Sequence, residues 1–237
     1  MARDGRPYIR GREMENSAFK DAARAQLSIL APIEKRCLIA LARRMPSWVN
    51  SDHLTLLGSF GMLMAGVSYA LARWNRYALL LVIFWLAVNW FGDSLDGTLA
   101  RVRNKLRPRY GFYVDHVIDS FGALFLMSGL ALSGYMNVFV AAGLLTTFLM
   151  LSIESYLAAY TIGTFRLSHF KLSPTELRIL LAIGNIALLF RPMTKIQGQL
   201  YRLFDVGGVI AITGMGVMLI AAVIRNTRAL YRAEPLS

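Results

Sequence analysis

Long uncharged stretches dominate the pattern of apolar and polar residues along the chain. Residues 54–72, 77–92 and 206–224 contain no charged side chain. A fourth uncharged stretch runs from Ser120 to Ile153, which is too long for one membrane-crossing helix of about 20 residues. It therefore predicts two spans, separated by a turn at residues 134–137, where glycine and asparagine interrupt the apolar run.

This pattern predicts an all-α, polytopic membrane protein with six transmembrane helices. Lipid-exposed backbone must satisfy its own hydrogen bonds, and a helix does so within one segment. A shorter uncharged stretch, 179–190, completes the set if its helix begins at Thr175. The predicted helices are 54–72, 77–100, 112–133, 138–163, 175–190 and 205–225. We expect a cytoplasmic N-terminal segment, 1–52, followed by one transmembrane domain, 53–237.

A short amphipathic helix is predicted within the N-terminal segment. Apolar and basic residues alternate over 33–45 with helical spacing, Pro46 would end the helix, and Trp48 suits the lipid headgroup layer. We predict a helix lying in the membrane interface. A gate over a substrate entrance is the alternative.

Composition and charge agree with a membrane location. Hydrophobic residues make up 56% of the chain and charged residues 17%, whereas a soluble domain has about 25% charged residues. If the N-terminus is cytoplasmic, the opposite side carries few basic residues: Arg73, Arg76, Arg191, Lys195 and Arg202. This asymmetry predicts that both termini are cytoplasmic, in the inner membrane if the chain is bacterial. The net charge of +12 then indicates basic loops on an anionic membrane surface, with no nucleic-acid partner.

Four aspartates flank the short loop between the second and third predicted spans. Asp93 and Asp96 share one helical face, and Asp115 and Asp119 are one turn apart on the next helix. Acids at a membrane are costly, and four in one pocket repel each other unless divalent cations bind. Carboxylate oxygens suit Mg²⁺ or Mn²⁺, and Gly97 leaves room for a ligand. The alternative is a belt of salt bridges with the basic loop.

Two segments around these acids carry a recognisable signature. Residues 93–101 read DSLDGTLAR and residues 111–119 read GFYVDHVID. This pattern resembles the D-x-x-D-G-x-x-A-R…G-x-x-x-D-x-x-x-D signature of the CDP-alcohol phosphotransferases, and every fixed position is met. Residues 52–58 are similar to the family's P-[ND]-x-x-T-x-x-G, although Ser51 stands where the family often has proline.

The resemblance implies a two-metal enzyme that moves a substituted phosphate from a CDP-linked donor to an alcohol and releases CMP. It implies Mg²⁺ or Mn²⁺ as the cofactor, a homodimer, and Asp119 as the general base. It implies four metal ligands: Asp93, Asp96, Asp115 and Asp119. It also implies four residues near the nucleotide: Asp52, Thr55, Gly97 and Arg101.

Several alternatives stay open at this point. CDP-diacylglycerol with a water-soluble acceptor is favoured slightly over a CDP-aminoalcohol with a lipid acceptor. A divalent-cation transporter and a noncatalytic lipid-binding relative are functions of other classes. Ser173 is predicted to cap the fifth span, where Lys171 and Arg178 could also hold a phosphate. The roles of His116 and Glu154 are undecided.

Overall fold

The computed structural model of the protein describes residues 31–162 and 174–234. Within these ranges the chain forms seven helices and one β-hairpin. The elements are α1 (Ala31–Arg44), α2 (Ser51–Leu71), α3 (Ala78–Val102), α4 (Pro108–Ser133), α5 (Val138–Ile162), α6 (Pro174–Phe190), β1 (Met193–Ile196), β2 (Gln199–Arg202) and α7 (Leu203–Ala233). The prediction of an all-α, polytopic membrane protein is confirmed.

Five of these helices, α2 to α5 and α7, are long and apolar enough to cross a membrane. The remaining candidate, α6, has 17 residues, so the sixth span stays a prediction, as does the orientation of the termini. Two helices extend four or more residues beyond their predicted bounds. Helix α4 begins at Pro108, since proline suits the first turn of a helix. Helix α7 continues to Ala233, with the basic side chain of Arg232 in its last turn.

The predicted turn between α4 and α5 is confirmed. Gly134 ends α4 with a φ of 82°, a left-handed conformation that glycine adopts without a steric cost. The carboxylate of Asp205, at the start of α7, accepts a hydrogen bond of 2.6 Å from the backbone N–H of Asn137. The turn is therefore tied to α7.

Small residues let α2 approach α3 very closely. A Cβ added at Gly92 of α3 would lie 2.5 Å from both the carbonyl oxygen of Leu54 and the amide nitrogen of Gly58 on α2. Close approach through glycine is typical of helix packing in membranes. The contact lies one residue before Asp93, so this packing fixes the position of the α3 aspartates along the axis of α2.

Helix α1 docks on the rest of the protein. The apolar side chains of Leu38 and Ala42 are buried in a cluster with Leu95 and Leu99 of α3. The guanidinium of Arg103 donates hydrogen bonds to carbonyl oxygens in the segment after α1, those of Met45, Pro46 and Val49. The predicted helix is confirmed, whereas its location in the headgroup layer stays a prediction. Trp48 is 74% exposed.

The β-hairpin between α6 and α7 was not predicted. Its two strands pair antiparallel, with Ile196 opposite Gln199. The two turn residues, Gln197 and Gly198, have φ values of 49° and 87°, and a two-residue loop with two positive φ values forms a type I′ hairpin. The predicted division after residue 52 stays a prediction, and Lys171 and Ser173 lie outside the described residues.

Candidate active site

Three of the four predicted aspartates, one from α3 and two from α4, converge at one point. One carboxylate oxygen each from Asp93, Asp115 and Asp119 lies within 4.8 Å of the others. Asp115 and Asp119 share one face of α4 because they are four residues apart. Asp93 and Asp115 are half-buried, and Asp119 is exposed. Three hard oxygen donors at this separation could hold a divalent metal ion such as Mg²⁺ or Mn²⁺.

The carboxylate of the fourth aspartate, Asp96, bonds to α2 and to the backbone of α3. Its Oδ2 accepts a hydrogen bond of 2.6 Å from the hydroxyl of Thr55 on α2, and its Oδ1 accepts one of 2.5 Å from the backbone N–H of Gly97. The hydroxyl of Ser51 donates to the backbone carbonyl of Asp96 at 3.0 Å. Asp96 thus joins the start of α2 to α3, and its role as a metal ligand stays a prediction.

A cationic side chain from α6 reaches the acidic cluster. Arg178 Nη2 lies 2.5 Å from Asp93 Oδ2, and Arg178 Nε donates a hydrogen bond of 2.7 Å to Asn89 Oδ1. The side chains of Arg178 and Asp93 are only 16% and 27% exposed. Asn89 is itself oriented by α2, because its Nδ2 donates to the carbonyl oxygen of Gly58 at 2.9 Å. The guanidinium of Arg178 therefore lies at the acidic cluster, in contact with Asp93.

The residues predicted near the nucleotide lie at the start of α2 and toward the end of α3, and the space in front of Gly97 forms an open region. A Cβ added at Gly97 would meet no atom within 4 Å, and Arg101 is exposed. Asp52, at the start of α2, forms an ion pair with Arg107, whose guanidinium lies 4.1 Å from the centre of the Tyr110 ring. This end of the helices has space and positive charge for a phosphorylated ligand.

The two undecided residues lie in helix contacts. The imidazole of His116 is buried and packs against the rings of Phe112 and Tyr156, with centroids 4.1 and 4.7 Å away. Glu154 of α5 accepts a hydrogen bond of 2.5 Å from Asn226 of α7. The other carboxylate oxygen of Glu154 is buried without a hydrogen-bond partner among the described residues.

Two residues beside the acidic cluster were not predicted from the sequence. Asn89 was detectable as a polar side chain within the apolar stretch 77–92. Glu34 was assigned to the amphipathic helix, yet its carboxylate contacts α3 at Ser94, the residue after Asp93. No spacing rule connects it to that position, because the two residues are distant in sequence.

Comparison with known proteins agrees with this site. The model of the CDP-alcohol phosphatidyltransferase family matches residues 48–224, which include both segments of the signature. The chain therefore belongs to this family.

A curated relative is archaetidylinositol phosphate synthase from Pyrococcus horikoshii, which is 31% identical over 136 residues. The alignment covers 57% of this chain and 65% of that protein, so the similarity extends over somewhat less than two thirds of the relative's length.

Proposed function

We propose that this protein is an integral-membrane CDP-alcohol phosphotransferase of phospholipid synthesis. It would move a substituted phosphate from a CDP-linked donor to an alcohol hydroxyl and release CMP. The observation that carries the proposal is the convergence of Asp93, Asp115 and Asp119 from two consecutive helices in a chain of this family. Family membership favours this activity over cation transport.

The acidic cluster would hold the divalent cofactor. Asp93, Asp115 and Asp119 offer one oxygen each, and Asp96 would join them as the fourth predicted ligand of a two-metal site. The donors are all carboxylate oxygens, a set that suits Mg²⁺ or Mn²⁺. When bound there, a divalent cation neutralises negative charge on the diphosphate.

Asp119 would act as the general base. A hydroxyl attacks phosphorus poorly while it retains its proton, and a carboxylate within hydrogen-bond reach can accept that proton. Asp119 is the exposed member of the cluster, so it is accessible to an alcohol that enters beside the donor. The proton would pass from the acceptor hydroxyl to the Asp119 carboxylate as the new phosphorus–oxygen bond forms.

The open region beside the acids would receive the nucleotide. Gly97 allows phosphate or ribose to approach the backbone, because no neighbouring atom fills the space in front of it. Arg101 would balance phosphate charge, and Asp52 and Thr55 would lie near the cytidine. The CMP leaving group would thus be held at the exposed ends of α2 and α3.

We propose a CDP-linked lipid as donor and a phosphorylated polyol as acceptor. The Pyrococcus horikoshii relative, an archaetidylinositol phosphate synthase, is named for such a product. Arg178 places a cation beside Asp93, and its guanidinium has five N–H donors in total. Among residues 31–162 and 174–234, Arg178 contacts Asp93 and Asn89, which leaves N–H donors of the guanidinium for a phosphate.

The test is a panel assay with purified protein in lipid nanodiscs, reading CMP release. CDP-diacylglycerol, its archaetidyl counterpart and CDP-aminoalcohols are each offered with glycerol phosphate, inositol phosphate, serine or diacylglycerol. We expect CMP from a CDP-linked lipid with a polyol phosphate. Activity should vanish on chelation and return with Mg²⁺ or Mn²⁺. Turnover with a CDP-aminoalcohol and diacylglycerol would contradict the donor assignment, and full activity in excess chelator would contradict the metal site.

A further inference from the structure

The carboxylate of Glu34 connects three helices beside the acidic cluster. Its Oε1 accepts hydrogen bonds from Trp90 Nε1 at 2.8 Å and from the hydroxyl of Thr175 at 2.7 Å. The hydroxyl of Ser94 lies 3.4 Å from the same oxygen. Glu34 belongs to α1, Trp90 and Ser94 to α3, and Thr175 to the first turn of α6. One oxygen therefore links α1, α3 and α6.

This link lies next to the contact between Arg178 and the acids. Thr175 and Arg178 are three residues apart and share one face of α6. On α3, the residues that contact Glu34 are Trp90 and Ser94, and those that contact Arg178 are Asn89 and Asp93. Each residue of the first pair directly follows one of the second, so the two pairs lie side by side along α3. Glu34 thus holds α6 to α3 about one helical turn from the point where Arg178 reaches Asp93.

Packing and hydrogen bonds hold α1, and with it Glu34, in place against α3. Its buried side chains Leu38 and Ala42 pack on α3, and Arg103 of the loop after α3 bonds the carbonyl oxygens that follow α1. A carboxylate near a helix N-terminus also interacts favourably with the helix dipole, and Glu34 meets α6 in its first turn. Glu34 also lies in the first turn of α1, so its carboxylate is favourable for the dipoles of both helices.

We propose that Glu34 is a positioning residue for Arg178 and hence for the phosphorylated acceptor. The inference rests on the proposed function. An arginine side chain has many rotamers, so the place of the α6 backbone decides whether its guanidinium reaches Asn89 and Asp93. Loss of the Glu34 contact frees the first turn of α6 to move. The Arg178 guanidinium then occupies several positions, and in some of them it does not contact the acceptor phosphate.

The first test separates positioning from folding by kinetics. Glu34→Ala and Thr175→Val should each raise the acceptor KM about tenfold, with kcat within about threefold and the donor KM within about twofold of wild type. Glu34→Gln keeps an acceptor oxygen and should stay within about threefold of wild type. Lys35→Ala is the matched control, since Lys35 is the exposed neighbour on α1, and it should leave all three constants unchanged.

Coupling with Arg178 gives a stricter criterion. If Glu34 acts through Arg178, then adding Glu34→Ala to Arg178→Gln should change the acceptor KM by less than about twofold, because the two changes remove one interaction. A further tenfold rise in the double variant would overturn the proposal. So would an unchanged acceptor KM in both Glu34→Ala and Thr175→Val.

A distance measurement keeps this test separate from that of the proposed function. Cys37 is the single cysteine and is exposed on α1, and Leu180 of α6 is 62% exposed. Spin labels at Cys37 and at Leu180→Cys in nanodiscs should give one narrow distance distribution, which broadens in Thr175→Val. Broadening would support the link even if every substrate pair failed in the panel assay. An unchanged narrow distribution in both Thr175→Val and Glu34→Ala would overturn the proposal.

Discussion

Two glycines on α3, five residues apart, should respond oppositely to substitution by alanine. Gly92 lies against α2, where an added Cβ would be 2.5 Å from the Leu54 carbonyl oxygen and from the Gly58 nitrogen. Gly97 lies in the signature, and an added Cβ there would meet no atom within 4 Å. Gly92→Ala therefore tests helix packing, and Gly97→Ala tests the space that we assign to the nucleotide.

The expected size of each effect follows from these distances. Ordinary contacts of a Cβ begin at 3.4 Å, so Gly92→Ala must move α2 from α3 by about 1 Å. Overpacking of this kind costs about 3 kcal/mol when the obstructing atoms are backbone and cannot rotate away. That corresponds to a fall in Tm of about 6–12 °C. Gly97→Ala should be neutral or stabilise the helix by about 0.5–1 kcal/mol, because alanine is the better helix former.

Both variants are measured by thermal unfolding in detergent and by steady-state CMP release. We expect Gly97→Ala to have the wild-type Tm or one a few degrees higher, while the donor KM rises at least about tenfold. A Tm for Gly92→Ala equal to that of wild type would refute the packing argument. A Gly97→Ala variant with a wild-type donor KM would remove Gly97 from the nucleotide site, and a large loss of its Tm would refute the assignment of open space.

Two further substitutions test individual contacts of the site. Asp119→Asn should abolish turnover and leave much of the affinity for a CDP ligand, since the amide cannot accept the proton of the acceptor hydroxyl; turnover within about threefold of wild type would exclude Asp119 as the base. Thr55→Val removes the 2.6 Å hydrogen bond to Asp96 and should lower the stability by about 2 kcal/mol, measured as a fall in Tm, whereas Thr55→Ser should restore most of it. An unchanged Tm in Thr55→Val would show that the bond to Asp96 does not join α2 and α3.

The apolar pattern predicted most of the architecture. The uncharged stretches located α2, α3, α5 and α6 within a few residues, because burial in lipid leaves a strong compositional signal. The end of α4 was predicted from the glycine of the turn, and Gly134 does adopt the left-handed conformation. The helix ends that lie among charged residues were placed poorly, since hydropathy carries no information on a helix that continues beyond the membrane.

Contacts between distant residues could not be predicted from spacing. Helical periodicity placed Asp115 and Asp119 on one face, and the signature drew attention to Asp93. Helical spacing also placed Asp96 on the face of Asp93, whereas the Asp96 carboxylate accepts hydrogen bonds from Thr55 and Gly97. Rotation of α3 relative to α2 and α4 decides which acid faces which helix, and that rotation depends on packing at Gly92.

The β-hairpin and the contacts of α1 and α6 were missed for a related reason. Each strand has only four residues, so period-two alternation gives little signal, and the glutamine–glycine turn is not among the strongest hairpin dipeptides. The pairing of Arg178 with Asp93 depends on how α6 packs against α3, which no local pattern reports.

Binding of Mn²⁺ to the purified protein, followed by electron paramagnetic resonance of the free ion, tests the central claim most directly. The claim is that Asp93, Asp115 and Asp119 together form a divalent cation site. Each of Asp93→Asn and Asp115→Asn should weaken Mn²⁺ binding at least about tenfold, whereas Glu234→Gln, an exposed acid at the end of α7, should bind Mn²⁺ as wild type does. Undiminished binding in both aspartate variants would contradict the claim.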